Sequence, residues 1–461
     1  MTSPRPLALP IESAAQRRSS VSAPDAMLLY GVFGLLLFGP LAFGAVEPWS
    51  IAILEAGAGL LFALWAVRRV AAAELEIVGN LLFLPMLLFA GLVLWQLAMG
   101  RTDYRADTAS AVLLYCAYGL LCFLVVQCVR RTSQVQALAW VLSAYGFAVA
   151  LFALMQGISS NGKLYWLRTA QTDGWIYGPY VNHNHYAGLM EMLTPIPLAI
   201  AFAGGVRASR KALAALVAAV MASTIFLSGS RGGMVAFAAQ MALLAAFLIK
   251  RRNRWSVTLA LSAFLIIVLG LSAWLGGGEL TDRMASIHSA TQRDLPGATR
   301  LKMDRDALKM FAQKPALGWG LGVFGEIYPQ FSSFSSNLPV GMAHNDYLQL
   351  LAETGALGFA IFLWFLLMLF GSALTGLKRW PPDTNTAATL AATLGISGIL
   401  VHSFVDFNLQ IPANAALFYV LCVVAARKPG FETHRRPHRN QRHSVEELPR
   451  AALISVTAST D

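Results

Sequence analysis

Apolar runs of about 20 residues recur along most of this 461-residue chain, and each is long enough to cross the hydrocarbon core of a bilayer. No water reaches backbone N–H and C=O groups there, so a spanning run satisfies them as a helix or joins a closed barrel. The short alternating segments of a barrel are absent. The chain is 56% hydrophobic and 13% charged, against about 45–50% and about 25% in soluble domains. These features predict an all-α class, a polytopic transmembrane helical bundle.

About twelve spans are expected, near 27–46, 50–67, 80–98, 108–128, 136–156, 183–204, 212–229, 233–249, 256–275, 347–370, 387–406 and 410–426. Alternate connections carry Arg68/Arg69, Arg130/Arg131, Arg207/Arg210/Lys211, Lys250/Arg251/Arg252/Arg254, Lys378/Arg379 and Arg427/Lys428, and basic loops mark the cytoplasmic side. The net charge of +11 therefore encodes orientation, and no nucleic-acid partner is expected. An even number of spans places both termini inside.

Segments 1–26 and 427–461 read as disordered cytoplasmic tails, the second of them basic. Without an apolar core of its own, 1–26 is not a cleavable signal peptide. Spans one to nine occupy 27–275, one large outer loop occupies 276–346 between spans nine and ten, and the last three spans occupy 347–426. The other outer loops are 47–49, 99–107, 157–182, 230–232 and 407–409. Cys116, Cys122, Cys128 and Cys422 all lie in apolar runs, with neither a disulfide framework nor a zinc spacing.

The large loop is where such a chain can do chemistry in water. Thr299 to Gln313 reads as an amphipathic helix, with Leu301, Leu308 and Phe311 on one face and Lys302, Arg305, Asp306 and Lys309 elsewhere. Thr299 is its N-cap and Pro315 marks its end. The glycine-rich stretch Gly318–Gly325 lacks the strand, helix and lysine of a phosphate-binding P-loop and reads as a tight turn. In the loop 157–182, Tyr165, Trp166, Trp175, Tyr177 and Tyr180 suit headgroups or stacking on sugars.

Several polar residues near the outer face are candidates for chemistry. Arg231 stands in a short glycine-flanked outer turn, against the charge bias, and its guanidinium fork suits an anionic group such as phosphate. Arg300 opens the loop helix, with Arg293 and Arg305 as competitors for the same role. His344, where the loop re-enters the membrane, can accept a hydroxyl proton near neutral pH. Asn345 follows it, and Asp346 with Gln349 resembles a helix cap. Glu353 is an intramembrane carboxylate, which is functional or paired by default. His402 and Asp406, four residues apart, read as a hydrogen-bonded pair that holds their helix in the bundle. Asn182-His183-Asn184-His185 reads as a polar helix entry rather than a metal site. No metal and no cofactor are expected. Arg231, Arg300, His344, Asn184 and Asp406 together fit a lipid diphosphate donor and a hydroxyl acceptor.

As an ordered set these pieces resemble the O-antigen ligase and O-antigen polymerase superfamily. The set runs from Val181–Gly188 through Ser230-Arg231-Gly232-Gly233, Arg300-Leu301 with Ala307-Leu308, Pro315–Phe324 and His344–Gly358 to His402–Pro412, about 180–415 of the chain. The resemblance implies a GT-C-like membrane glycosyltransferase of a bacterial inner membrane, with a periplasmic loop, metal-independent and inverting. It would move a glycan from undecaprenyl diphosphate to a hydroxyl of lipid A–core or of another lipid-linked repeat, in lipopolysaccharide or exopolysaccharide synthesis. A chain-length regulator is a further partner it implies. Arg231 and Arg300 would hold the diphosphate and His344 would assist the acceptor. Asp304 departs from the family pattern, which places an aromatic there. A transporter or flippase of lipid-linked sugars is the alternative, though its polar residues would belong near the bilayer midplane.

Overall fold

The computed structural model describes residues 23–427 apart from 74–75, 160, 170–175, 205, 287–296, 336–338 and 379–381. Trp175, Arg293 and nearly all of both expected tails lie outside the described residues. The helices in chain order are α1 (Ala23–Leu41), α2 (Pro48–Ala71), α3 (Phe83–Ala98), α4 (Arg105–Cys128), α5 (Thr132–Ile158), α6 (His183–Leu193), α7 (Pro195–Phe202) and α8 (Ala208–Leu227). They continue with α9 (Arg231–Ile249), α10 (Arg254–Ser286), α11 (Gly297–Gln313), α12 (Phe324–Ile327), α13 (Asp346–Gly376), α14 (Thr384–His402) and α15 (Pro412–Ala425). Among the described residues there is no strand, only two isolated bridges in the 157–182 loop.

This is a multi-pass helical membrane protein. Eight helices (α2, α4, α5, α8, α9, α10, α13 and α14) are long and apolar enough to cross a bilayer, while α1, α3 and α15 are shorter apolar helices. The expected span over 183–204 is broken into α6 and α7, with Pro195 as the first residue of α7; proline has no N–H to continue the helical ladder. The expected ninth span corresponds to the candidate span Arg254–Gly276, and its helix α10 runs on past it to Ser286.

α14 is the axis of the bundle. Of its apolar stretch 67% is buried inside the protein, against 22% in α2, and α6, α7, α9 and α15 pack around it. Small residues make this possible by letting backbones approach closely: a Cβ on Gly395 would lie 2.9 Å from the Met192 carbonyl oxygen. Gln240 of α9 then donates from Nε2 to the carbonyls of Glu191 (2.7 Å) and Leu394 (3.0 Å), fastening three helices together.

Contacts tie connections of the same alternate set together. On the set that includes the large loop, Asp103 N–H donates to the Trp319 carbonyl at 3.1 Å and Ala413 N–H to that of Gly44 at 3.0 Å. Arg168 pairs with Glu47 at 2.6 Å, and Lys314 pairs with Asp103. On the other set Arg130 meets Glu76 at 3.2 Å, and Gly204 N–H donates to the Pro382 carbonyl at 2.7 Å.

The large loop has a core of its own, built from Met303, Ala307, Met310, Trp319, Val323, Phe324, Ile327, Tyr328, Ala343 and Ala352. The buried face of α11 is therefore Met303/Ala307/Met310, and the expected face is turned outward, with Leu301 52% and Leu308 46% exposed. Asp306 hid the true face because a carboxylate sits on it, fully buried, accepting from Ser333 N–H and Oγ (both 2.8 Å) and from Lys309 Nζ (2.8 Å). The expected tenth span is likewise interrupted. Gly355 (φ 64°, ψ −170°) breaks α13, and Ala356 and Leu357 N–H turn to the carbonyls of Pro315 (2.8 Å) and Ala316 (3.2 Å). The first turns of α13 thus belong to the loop core, and only the part after Gly355 continues as a span.

Candidate functional site

The site is organised by the turn from His402 to Phe407, which leaves the end of α14. Val405 and Asp406 N–H fold back onto the His402 carbonyl at 2.9 and 3.1 Å, so each side chain of the turn faces a different element. This overturns the expected His402–Asp406 pair. His402 Nδ1 lies 2.8 Å from Glu191 Oε1 on α6. Asp406 Oδ1 instead stands between two imidazoles, 3.5 Å from His344 Nδ1 and 3.8 Å from His185 Nε2.

Phe407 packs edge-on against both rings, with centroids 4.7 Å from His185 and 4.7 Å from His344. Asp406 is 0% exposed. Burial alone would raise its carboxyl, but His185 and His344 outweigh that and hold it well below the usual carboxylate range. An ionised Asp406 facing Nδ1 favours the tautomer that leaves Nε2 of His344 free to accept a proton. His344 is held in the left-handed region at φ 53°, where a non-glycine residue carries strain that surrounding contacts must hold.

Asn345, not Asp346, is the N-cap of α13: its Oδ1 accepts from Leu348 N–H at 3.2 Å. The capping arrangement expected of Asp346 and Gln349 is thus displaced by one residue. Asp346 has another task, accepting from Ser403 Oγ (2.7 Å), Leu409 N–H (3.1 Å) and Gln410 Nε2 (3.3 Å). It ties the start of α13 to the same turn. Glu353 accepts from Gly322 N–H (3.0 Å), Phe324 N–H (3.2 Å) and Gln349 Nε2 (3.2 Å). The glycine-rich turn therefore folds around the protein's own carboxylate. Its amides hold Glu353.

Arg300, on the first turn of α11, donates from Nη1 to the Val405 carbonyl at 3.1 Å, and its buried Nε has no hydrogen-bond partner among the described residues. One helical turn on, Asp304 receives a hydrogen bond from Asn345 and lies in the field of Arg300 and His344; burial nonetheless pushes its carboxyl up. Arg305 is exposed and no contact ties it to this turn. Arg231 is the first residue of α9, exposed, after Ser230, whose Oγ caps the helix through Gly233 N–H at 3.1 Å. A Cβ on Gly232 would lie 3.0 Å from Cγ2 of Val405. Val405 thus lies against the first turn of α9, which carries Arg231, and against the Arg300 guanidinium.

At the start of α6, Asn182 caps the helix by accepting from Asn184 N–H at 2.8 Å, and Asn184 itself is buried. Asn414 Nδ2 donates to the His185 carbonyl (2.9 Å) and to Asn408 Oδ1 (3.1 Å), which fixes the α6 entry against α15. No group of three or more His, Cys, Asp or Glu positioned to hold a metal ion occurs among the described residues.

Among the described residues of the 157–182 loop, the aromatics make packing contacts and hydrogen bonds within the protein. Tyr177 and Tyr180 are 5% and 1% exposed, and the Tyr180 hydroxyl meets Asn414 Oδ1 at 2.8 Å. Tyr165 donates to the Leu41 carbonyl at 2.6 Å and Trp166 Nε1 to the Ser159 carbonyl at 3.0 Å.

Residues 216–363 match the family model described as O-antigen ligase (Wzy_C). That segment, about a third of the chain, is similar to the O-antigen ligase family. No curated protein matches the chain. The likeness implies a glycosyltransferase-like enzyme. The matched segment holds Arg231, Arg300, Asp304, His344 and Glu353, while the turn that supplies His402 and Asp406, like His185 and Glu191 on α6, lies outside it.

Three residues of this site are not among the sequence candidates. Glu191 is a carboxylate inside an expected span, itself a signal of function or pairing, and it meets His402. His185 has no carboxylate near it in sequence; the fold brings Asp406. Asp304, where the family pattern has an aromatic, lies beside Asn345, Arg300 and His344.

Proposed function

We propose that the protein transfers a glycan from undecaprenyl diphosphate to an acceptor hydroxyl, as an O-antigen ligase or a polysaccharide polymerase of the inner membrane with its site on the periplasmic face. The observation that carries this reading is His344: its strained backbone aims the ring at a buried ionised Asp406, beside the Arg300 guanidinium on Val405.

Arg231 and Arg300 take the donor diphosphate. Their planar forks donate paired hydrogen bonds to phosphate oxygens and stabilise the charge that grows as the glycosidic bond to phosphate breaks. His344 Nε2 withdraws the acceptor proton as the new bond forms, and Asp406 stabilises the imidazolium that results. The oxygen attacks opposite the departing diphosphate, so the anomeric centre inverts. Asn345 and Asp304 line the acceptor side, Asp346, Glu353 and His402 hold the frame, and Asn184 supports the entry of α6.

The test is surface-glycan analysis of a deletion strain complemented by wild type or by His344→Ala, with lipopolysaccharide, secreted polysaccharide and the lipid-linked pool followed together. Bare core with long lipid-linked chains in the His344→Ala strain identifies a ligase. Core carrying one repeat, or lost exopolysaccharide with intact lipopolysaccharide, identifies a polymerase. Full complementation by His344→Ala overturns the catalytic reading and moves transport to the front.

A further inference from the structure

Glu191 of α6 is left without a task by the transfer chemistry. Every residue of that helix is buried, and an ionisable side chain so placed is costly unless it is paired. Glu191 is 0% and His402 1% exposed, and their contact is 2.8 Å. Oε2 of Glu191 has no hydrogen-bond partner among the described residues. Breaking such a pair leaves an uncompensated buried charge, so the pair is a rigid object.

The first turn of α9 is seated on it. A Cβ on Gly232 would lie 2.5 Å from Nε2 of His402, and one on Gly233 would lie 3.1 Å from Oε1 of Glu191. Gly229 ends α8 at φ +75°, and the Ser230 cap then fixes where α9 begins. Arg231, between that cap and the two glycines, has its backbone position set by the ion pair beneath it. Adhesion of α9 to the bundle does not need the pair at this level, because Gln240 already fastens the helix to α6 and α14 lower down.

We infer that Glu191 and His402 form a positioning pair that holds the first turn of α9, and with it the Arg231 guanidinium, at the height where a lipid diphosphate is received. Neither side chain touches the donor; the inference rests on the reading of Arg231 as a diphosphate ligand.

Binding of farnesyl diphosphate to the purified full chain in detergent, with farnesyl monophosphate as control and the thermal midpoint recorded for each variant, tests it. Gly232→Ala pushes α9 off the His402 ring and should raise the Kd for farnesyl diphosphate about tenfold or more, since small misplacements of a positioning group cost on this order. Glu191→Ala should do the same. The double variant Gly232→Ala/His402→Asn, whose shorter side chain keeps an N–H for Glu191 and makes room for the new methyl group, should recover most of the affinity lost by Gly232→Ala. If both single variants lower the thermal midpoint yet bind as wild type, while Arg231→Ala loses binding, the pair is bundle glue and the inference fails although the donor reading stands. If Arg231→Ala also binds as wild type, the donor reading falls and takes the inference with it.

Discussion

Two polar regions meet at the start of α13, and they differ in how completely their groups are satisfied. Glu353 and Asp306 in the loop core, and Asp346 where α13 meets the 403–410 segment, each accept three or more hydrogen bonds from amides, hydroxyls, Gln side chains or Lys309. Around the 402–407 turn, by contrast, His344 Nδ1 and His185 Nε2 meet Asp406 only at 3.5 and 3.8 Å, and Asp406 Oδ2 and Arg300 Nε are buried with no hydrogen-bond partner among the described residues. Buried polar groups left open cost about 1–3 kcal/mol each, and a protein keeps such a cluster where the open atoms have work to do. The comparison separates frame from machinery within one continuous stretch, His344 to Glu353.

The largest effect should come from exchanging the two regions as targets. His344→Ala should lower turnover by about 10²–10⁴-fold, the range of general-base contributions, with the thermal midpoint nearly unchanged. Glu353→Ala should do the reverse, costing about 1–3 kcal/mol for each amide it leaves unpaired, while its folded fraction keeps wild-type turnover. Steady-state transfer rates in nanodiscs and unfolding curves on the same samples decide it. A His344→Ala protein that is destabilised but turns over normally when folded would erase the distinction.

A smaller effect sharpens the open side. Arg300→Lys and Arg231→Lys keep the charge and lose the fork. Each should lower kcat/KM for a diphosphate-linked donor by about ten- to a hundredfold, the about 1.5–3 kcal/mol of a charged hydrogen bond. Wild-type kcat/KM in Arg231→Lys would mark that residue as an interfacial anchor instead.

The same contrast explains what was legible before the fold. Hydropathy and loop charge are local, so the helical class and the placement of Arg231, Arg300 and His344 near one set of loops could be read directly. α11 was misread because side-chain size favoured Leu301 and Leu308, whereas burial followed Met303, Ala307 and Met310. That choice depended on Ser333 and Tyr328 being present to satisfy Asp306. Partners far apart in sequence were out of reach altogether: Asp406 lies 62 positions from His344, and Glu191 211 positions from His402. Spacing within one helix suggested that His402 and Asp406 pair with each other; the turn after α14 sends them to opposite partners. Glycine runs were equally ambiguous, because Gly318–Gly325 and Gly229–Gly233 differ only in what fills them, Glu353 in one case and the His402 ring in the other.

The smallest effect tests the satisfied side through pH. Burial alone would raise the Asp306 carboxyl, but the hydrogen bonds from Lys309 and Ser333 outweigh it and leave it below the ordinary value. A carboxyl whose folded-state pKa is depressed contributes stability that is present above the unfolded value, about 3.9, and is lost as pH falls through the folded value. Lys309 is 59% exposed, so its ion pair adds little and the Ser333 bonds carry the effect. Asp306→Asn should therefore weaken amide protection in α11 and around Ser333 several-fold at pH 7, after correction for intrinsic exchange. The gap between variant and wild type should close below about pH 4, as the wild-type carboxyl takes up its proton. A gap that persists unchanged into acid would mean that the shape of the residue, not its charge, holds the loop core together, and the saturated carboxylates would then owe their role to geometry alone.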